Sequence, residues 1–261
     1  MTHRSAPSAF ALCLHITRRN WTVYRKDFVA NISPTLADPA LIMVSLGLGL
    51  GSYLSNVQGM SYMQFLAPGL TVATTLFTSF FETSYGFYVR LTFENVFKAM
   101  LTTPMGPEDV VFGEFLWVGI KGFVMAVGVA IVLAFLGFMA HPMLIPLIGV
   151  MGFLVGVACG AIGLIASALV RNINQFQTVY SFIIAPLYFL SGIFFPLKEM
   201  NPVIRWLAEI FPLIHGVRMA QAVFWAKDVG PTFLVHGGVL VLQCVILCFV
   251  ALRLVRRKLV T

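Results

Sequence analysis

The chain has 261 residues, of which 59% are apolar by the AVILMFWYC count and 10% are charged, against roughly 45–50% and 25% in a soluble domain. So little polar surface cannot coat a water-soluble globule, which excludes a cytosolic enzyme, a secreted domain and a disordered binder. A bilayer is the expected solvent, and at about 20 residues per helical span the length admits six spans and their loops in one domain.

The formal net charge of +7 carries no implication of nucleic-acid binding until the charges are placed relative to a membrane. The first apolar run, Ala9 to Leu14, is too short to span and lacks a convincing signal-peptide cleavage site. As a helix it continues into an amphipathic segment. Phe10, Leu14, Trp21, Tyr24 and Phe28 fall near one face, and Arg18, Arg19, Arg25 and Lys26 favour the other, the pattern of an interfacial helix with basic residues and aromatic anchors. This segment, residues 1–33, is read as a cytoplasmic interface helix that ends at the breaker Pro34.

Six spans are expected within residues 34–252: about Leu36 to Leu54, Phe65 to Val89, Phe115 to Phe138, Met143 to Val170, Phe176 to Phe195 and Thr232 to Leu252. A cytoplasmic tail, 253–261, follows. With both termini inside, 13 of the 17 Lys and Arg residues lie on the inner side, and Lys198, Arg205, Arg218 and Lys227 on the outer. This satisfies the positive-inside rule, and the outer loops around Asn56 and His141 hold no Lys or Arg. The net charge therefore reports orientation.

Two connections are patterned. The inner one, Arg90 to Glu114, reads as helix–break–helix: Leu91, Val96, Phe97, Met100 and Leu101 supply an apolar face. Thr102-Thr103-Pro104 breaks the helix. Pro107 followed by Glu108 and Asp109 marks a new start, with Pro in the first turn and acids at the positive dipole end. Such an element suits docking of a soluble partner, or a loop lying in the headgroups. The outer connection, Pro196 to Pro231, holds two apolar stretches, Val203 to Phe211 and Leu213 to Ala226, too short to cross. Prolines at 202 and 212 punctuate them, and Trp206 and Trp225 suit an interface, so two short re-entrant or interfacial helices are expected there.

Chemistry-bearing motifs are few. There is no Gly-x-x-x-x-Gly-Lys-Ser/Thr loop, so any nucleotide must bind another chain. No His-Glu-x-x-His, Gly-x-Ser-x-Gly or paired carboxylates occur in the spans. His141, His215 and His236 read as isolated. Cys13, Cys159, Cys244 and Cys248 read as packing residues without a disulfide framework or a metal site. Glu82 lies eight residues from Arg90 and Lys121 seven beyond Glu114, depths of about 12 and 10 Å at 1.5 Å per residue. Intramembrane ions usually pair or face a cavity. Two readings stand: a Glu82–Lys121 contact between spans two and three, or a snorkelling Lys121 beside a locally bonded Glu82. Gly152, Gly156 and Gly160, with Gly149 and Gly163 nearby, form a close-packing face, either within the subunit or between subunits; Gly47, Gly49 and Gly51 are a shorter version. Pro186 should kink span five. The polar stretch before it, including Gln177, Tyr180 and Ser181, faces a pathway or bonds between helices.

The stretches FENVFKAMLTTPMGPEDVVFGEFLW and SGIFFPLKEMNPVIRWLAEIFPLIHGVR resemble the cytoplasmic loop and outer segment of ABC-2-type exporter permeases, most closely the nodulation-type, NodJ-like branch, and the resemblance extends over nearly the whole chain in the same order. It implies an all-α, six-helix permease of the inner membrane that homodimerises and binds two copies of a separate ATPase. ATP and Mg would sit on that partner and no cofactor in this chain. The implied ATPase contacts are the interface helix (Arg18, Arg19, Trp21, Arg25, Lys26) and the coupling loop (Phe93, Glu94, Phe97, Lys98, Met100, Leu101, Pro104, Glu108). The implied outer gate comprises Phe194, Phe195, Pro196, Pro212 and His215. The implied cargo is amphipathic, a glycolipid, lipo-oligosaccharide or polysaccharide, with hydrophobic drug efflux as the alternative. An ion-coupled carrier would want more intramembrane acids, and a membrane enzyme converging catalytic groups.

Overall fold

The computed structural model describes residues 9–49, 51, 53, 57–197 and 201–260. Regular structure among them is helical, apart from one isolated bridge between Val57 and Met60. In chain order the helices are α1 (Ala9–Tyr24), α2 (Phe28–Gly49), α3 (Tyr62–Phe81), α4 (Phe87–Thr92), α5 (Val96–Leu101) and α6 (Pro107–Phe135). They continue with α7 (Ile145–Leu169), α8 (Gln175–Val179), α9 (Ala185–Phe189), α10 (Pro202–Glu209), α11 (Pro212–Phe224) and α12 (Val229–Val260). Arg4, Asn56 and Lys198 lie outside the described residues, as do the side chains of Phe10 and Lys98.

The helix starts follow local chemistry. Ser61 Oγ accepts from Gln64 N at 3.3 Å while Gln64 Oε1 accepts from Ser61 N at 3.1 Å, a reciprocal cap for α3. Pro107 opens α6, with Asp109 Oδ2 accepting from Gly106 N at 2.8 Å. Pro202 and Pro212 open α10 and α11, and Asn201 Oδ1 caps Val203 N at 2.9 Å. In α6, α10 and α11 proline occupies the first turn, where its missing N–H costs nothing.

Several boundaries differ from expectation. Pro34 does not end the interface helix: α2 runs through it, and only a 3-10 turn at Arg25–Asp27 separates α1 from α2. A proline removes one backbone hydrogen bond without ending a helix whose other turns hold. The helix begun at Pro107 is span three itself, not a separate loop helix. Four stretches among the described residues are long and apolar enough to cross a bilayer: Ala11–Gly47, Pro107–Phe135, Pro142–Leu169 and Val229–Leu259. The expected second span is instead divided by a π-helical turn at Glu82–Gly86, and threonines dilute its hydropathy. The fifth is three five-residue pieces, α8, a π-helical turn at Tyr180–Ile184, and α9. It ends at Phe189 rather than Phe195, and Pro186 sits in the first turn of α9.

The helices surround two main clusters. The larger packs α3, α6, α7, α11 and α12 around residues such as Leu70, Leu76, Val129, Met151, Val155 and Val217. The second gathers Ile16, Phe87, Phe97, Val111, Leu164 and Val255 from α1, α4, α5 and the near ends of α6, α7 and α12. Gly152 and Gly156 meet α6 of the same chain, opposite Gly122. A Cβ on Gly152 would stand 2.7 Å from the Gly122 carbonyl oxygen, and one on Gly156 would stand 2.8 Å from the Val118 oxygen. The glycine face is thus an intrasubunit contact at backbone distance.

Gly152→Ala should therefore destabilise the fold by about 1–3 kcal/mol through overpacking, read as a lowered unfolding midpoint in detergent. Gly238→Ala, with nothing within 4 Å of its new methyl, should not, and equal midpoints for both would contradict this packing.

Candidate functional site

A partly buried charge network forms where α1, the π turn, α4 and α6 meet. Lys121 Nζ lies 2.7 Å from Glu82 Oε2, so the structure pairs these two groups. Arg90 from α4 reaches Glu82 Oε1 at 3.5 Å and Glu114 Oε2 at 2.9 Å. Trp117 Nε1 donates to Glu82 Oε1 at 3.2 Å. Asn20 of α1 donates to Glu114 Oε1 at 3.1 Å and accepts from Arg90 Nη1 at 3.3 Å. Glu114 is wholly buried. Two carboxylates thus face two cations within a polar shell.

The π turn accounts for part of this geometry. Arg90 donates from Nε to Gly86 O at 3.2 Å and from Nη2 to Glu82 O at 3.4 Å, the latter oxygen also accepting from Phe87 N in the π turn. The Lys121 ammonium also lies over the Tyr24 ring, 4.9 Å from its centroid, a cation–π contact. Sequence reasoning placed Arg90 and Glu114 at loop ends and did not single out Asn20; the i,i+4 proximity of Asn20 to the Ile16 face was the available signal.

Above the network lies a cavity of about 820 Å³. Asp38, Leu41 and Ile42 of α2 line it, with Leu70, Thr74, Phe77 and Phe81 of α3, Tyr180 and Tyr188 packed against those α3 rings, and the Glu82–Lys121 pair. Its aromatic side is ordered: Phe77 meets Tyr188 edge-on at 5.0 Å and Phe81 stacks on Tyr180 at 6.1 Å. Gln177 lines an adjoining groove with Tyr85 and Tyr180, and Ser181 is exposed. The polar neighbours Asn172 and Gln175 close local turns, Asn172 Oδ1 accepting from Gln175 N and Gln175 Oε1 from Arg171 N.

The expected coupling residues divide by exposure. Phe93, Glu94 and Pro104 are exposed, and Met100 and Leu101 are half-buried. Phe97 is fully buried, its ring 4.5 Å from Phe87, so it anchors α5 to α4 rather than presenting a surface. Glu108 pairs with Arg256 of α12 at 3.1 Å. On α1 the buried face is Ile16, Thr17, Asn20 and Tyr24, whereas Leu14 and Trp21, and Phe28 at the start of α2, are exposed. The expected aromatic face is thus displaced, because Ile16 fits the gap at Gly113 and the polar Asn20 answers the buried Glu114. Arg18, Arg25 and Lys26 are exposed, and half-buried Arg19 donates to Asn20 Oδ1 at 3.1 Å.

At the opposite end, Phe194 packs against Tyr188 at 5.0 Å, Phe195 is exposed, and Pro196 and Pro212 are buried. His215 is not isolated. Its Nδ1 lies 3.2 Å from His236 Nδ1 on α12, and its Nε2 lies 3.1 Å from the Glu209 carbonyl. The carbonyl can only accept, so Nε2 of His215 carries hydrogen and, with that ring neutral, His236 donates to Nδ1. Burial pushes the His215 pKa below its ordinary value. Burial disfavours the Glu209 carboxylate as well, but hydrogen bonds from Arg218 outweigh that and hold it below its ordinary value. Among the described residues no group of three His, Cys, Asp or Glu side chains could hold a metal ion, and all four cysteines are free thiols.

The ion pair makes a quantitative expectation. In a double-mutant cycle on unfolding stability, Glu82→Gln and Lys121→Met should couple by about 0.5–3 kcal/mol, the double variant losing less than the sum of the singles. Additive losses would contradict the pairing.

Residues 11–225 match the ABC-2 type transporter family. Nodulation protein J of Neorhizobium galegae is 31% identical over 253 residues, covering 97% of this chain and 96% of that protein. Nodulation protein J of Rhizobium leguminosarum bv. viciae is 31% identical over 249 residues, covering 94% of each. The inner membrane transport permease YadH of Escherichia coli K12 is 24% identical over 196 residues, covering 74% of this chain and 75% of that protein. The chain belongs to the ABC-2 type transporter family as a multi-pass inner-membrane permease, a transport component without a catalytic domain.

Proposed function

We propose that this permease exports an amphipathic cargo, such as a glycolipid, lipo-oligosaccharide or polysaccharide, through the cavity bounded by α2, α3 and α8–α9. The observation that carries the reading is the lining of that cavity. One side is a ring-rich wall of Phe77, Phe81, Tyr180 and Tyr188, and the lining also holds the Glu82–Lys121 pair and Asp38. Rings present flat apolar faces to a sugar or an acyl chain, and the charged groups accept hydroxyl groups. A purely hydrophobic drug would leave those charged groups unused.

In this reading the chain crosses the membrane six times with both termini cytoplasmic. Residues 1–33 act at the interface, 34–252 form the spans, and 253–261 are the tail. α3 through α4 supply the second crossing, α8–α9 the short fifth, and α10–α11 the outer gate with Phe194, Phe195, Pro196, Pro212 and His215. Two copies of the chain enclose the path. Two copies of a separate ABC ATPase, which in such transporters holds the nucleotide, dock on Phe93, Glu94, Lys98, Met100, Leu101, Pro104 and the basic face of α1. Phe97 and Glu108 hold that surface to α4 and α12. ATP on the partner can shift the permease only by binding its two states with different affinity. The Asn20–Arg90–Glu114 contacts join α1 and α4 to the span that carries Lys121, and so connect the docking surface to the cavity.

The test is reconstitution with the ATPase that co-purifies from native membranes. Glycolipid should stimulate ATP hydrolysis and Phe81→Ala/Tyr180→Ala should remove most of that stimulation, about tenfold or more for two aromatic contacts, while basal hydrolysis persists. Stimulation by hydrophobic drugs but not glycolipid would replace this reading with drug efflux. Consistent absence of an ATPase would sink it.

A further inference from the structure

Two histidine rings meet where α11 approaches the first turns of α12. His215 of α11 and His236 of α12 place their Nδ1 atoms 3.2 Å apart, with ring centroids 5.3 Å apart and planes inclined by 31°. The other nitrogen of His215, Nε2, lies 3.1 Å from the carbonyl oxygen of Glu209, the last residue of α10. One ring therefore ties three helices together. Glu209 also lines a cavity of about 980 Å³ with Arg205, Arg218, Gln221 and Lys227, a polar opening beside the pair through which protons can arrive.

The charged groups around the pair are few. The Glu209 carboxylate and Arg218 are bonded to each other. Arg205 of α10 is exposed, as are Lys227 and Asp228 between α11 and α12. Neither α3 nor α7, the other helices packed on α11, carries an Asp, Glu, Lys, Arg or His, and on α12 no such residue but His236 precedes Arg253. With both rings neutral, one hydrogen joins them, from His236 to Nδ1 of His215, because Nε2 of His215 is committed to a carbonyl. A first extra proton enters on Nε2 of His236, which has no protein partner among the described residues, and the contact survives with an imidazolium as donor. A second has only Nδ1 of His215 left to occupy. Two N–H groups then face each other across 3.2 Å with no acceptor between them. Burial disfavours charge on His215 and Arg218 opposes it, whereas Glu209 favours it, and burial is the larger effect. That proton accordingly enters below the ordinary histidine value of about 6.5.

We infer that the His215–His236 pair is a proton-sensitive latch, which holds the first turns of α12 to α11 while neutral or singly protonated and releases them when doubly protonated. Side chains offer little else at this level of α12. A Cβ on Gly237 would only reach Met219 Cε at 3.7 Å, and one on Gly238 would meet nothing within 4 Å. Two turns further on, Gln243 Nε2 donates to Ile210 O at 3.1 Å, so the release is confined to the turns before that contact. Acid on this side of the membrane then loosens the outer gate; that consequence rests on the gate and orientation proposed above, whereas the latch itself does not.

Hydrogen–deuterium exchange of the detergent-purified full chain, at pH about 7.5 and about 5, either side of the ordinary histidine value, tests the latch. After correction for intrinsic rates, protection of residues 229–238 should fall in acid by about three- to tenfold, the effect of losing one hydrogen bond. His236→Gln should abolish that fall, because an amide can donate to neutral His215 or accept from the charged ring. Unchanged protection in the native chain would overturn the latch, as would an equal fall in His236→Gln. Nitrogen-15 spectra of the histidine-labelled native chain test the pairing without a substitution. They should show one hydrogen shared between two Nδ1 atoms at neutral pH and its loss in acid. Two histidines titrating independently would contradict the pairing.

Discussion

The arrangement at the basic end of this permease depends on pairing four charged side chains, of which Glu114 is wholly buried and Glu82, Arg90 and Lys121 are largely so. Glu82 and Glu114 are answered by Arg90 and Lys121, and Asn20 and Trp117 take up remaining hydrogen-bonding capacity. Desolvating such groups costs several kcal/mol per ion, and removing one partner costs about 3–5 kcal/mol because the other is stranded. The network is consequently a poor source of net stability and a strong constraint on geometry. α4 and α6 cannot move independently without breaking an ion pair, nor α1 without breaking the hydrogen bonds of Asn20 to Glu114 and Arg90.

The π turn also binds Arg90 through its backbone. Gly86 O and Glu82 O accept from the guanidinium as well as the Glu82 carboxylate, so backbone and side chain of one segment share one cation. Arg90 is thereby fixed from both sides, and Phe97 beneath it carries that order into α5. On the far face of α6 the backbone contact with α7 through Gly122, Gly152 and Gly156 leaves no slack. α6 is the element against which both the interface helix and the glycine-lined span are registered.

Much of this architecture was legible in the residues. Pro107, Pro202 and Pro212 announced three helix starts because proline in a first turn has a single structural meaning. The depths of Glu82 and Lys121 suggested their meeting because charges in hydrocarbon have few places to go. The glycine spacing announced close approach, although only the fold could say that α6 of the same chain answers it. Arg90 and Glu114 were hidden because they flank a connection, and flanking charges normally mark water. The π turn leaves no signature in ETSYG. The buried face of α1 was misplaced because hydrophobicity weights Trp21 and Phe28 above Asn20, while the burial was decided by a carboxylate and by the missing side chain of Gly113. The His215–His236 contact joins residues 21 apart on different helices, a pairing that spacing along one helix cannot express.

The central claim is that Glu82 is ionised inside the membrane because Lys121 and Arg90 face it. Infrared difference spectroscopy of the reconstituted permease, comparing the native chain with Glu82→Gln, reads this directly. The account requires the lost band to be that of a carboxylate, and requires it to shift when Lys121 is replaced by Met. A lost band from a protonated carboxylic acid would contradict it.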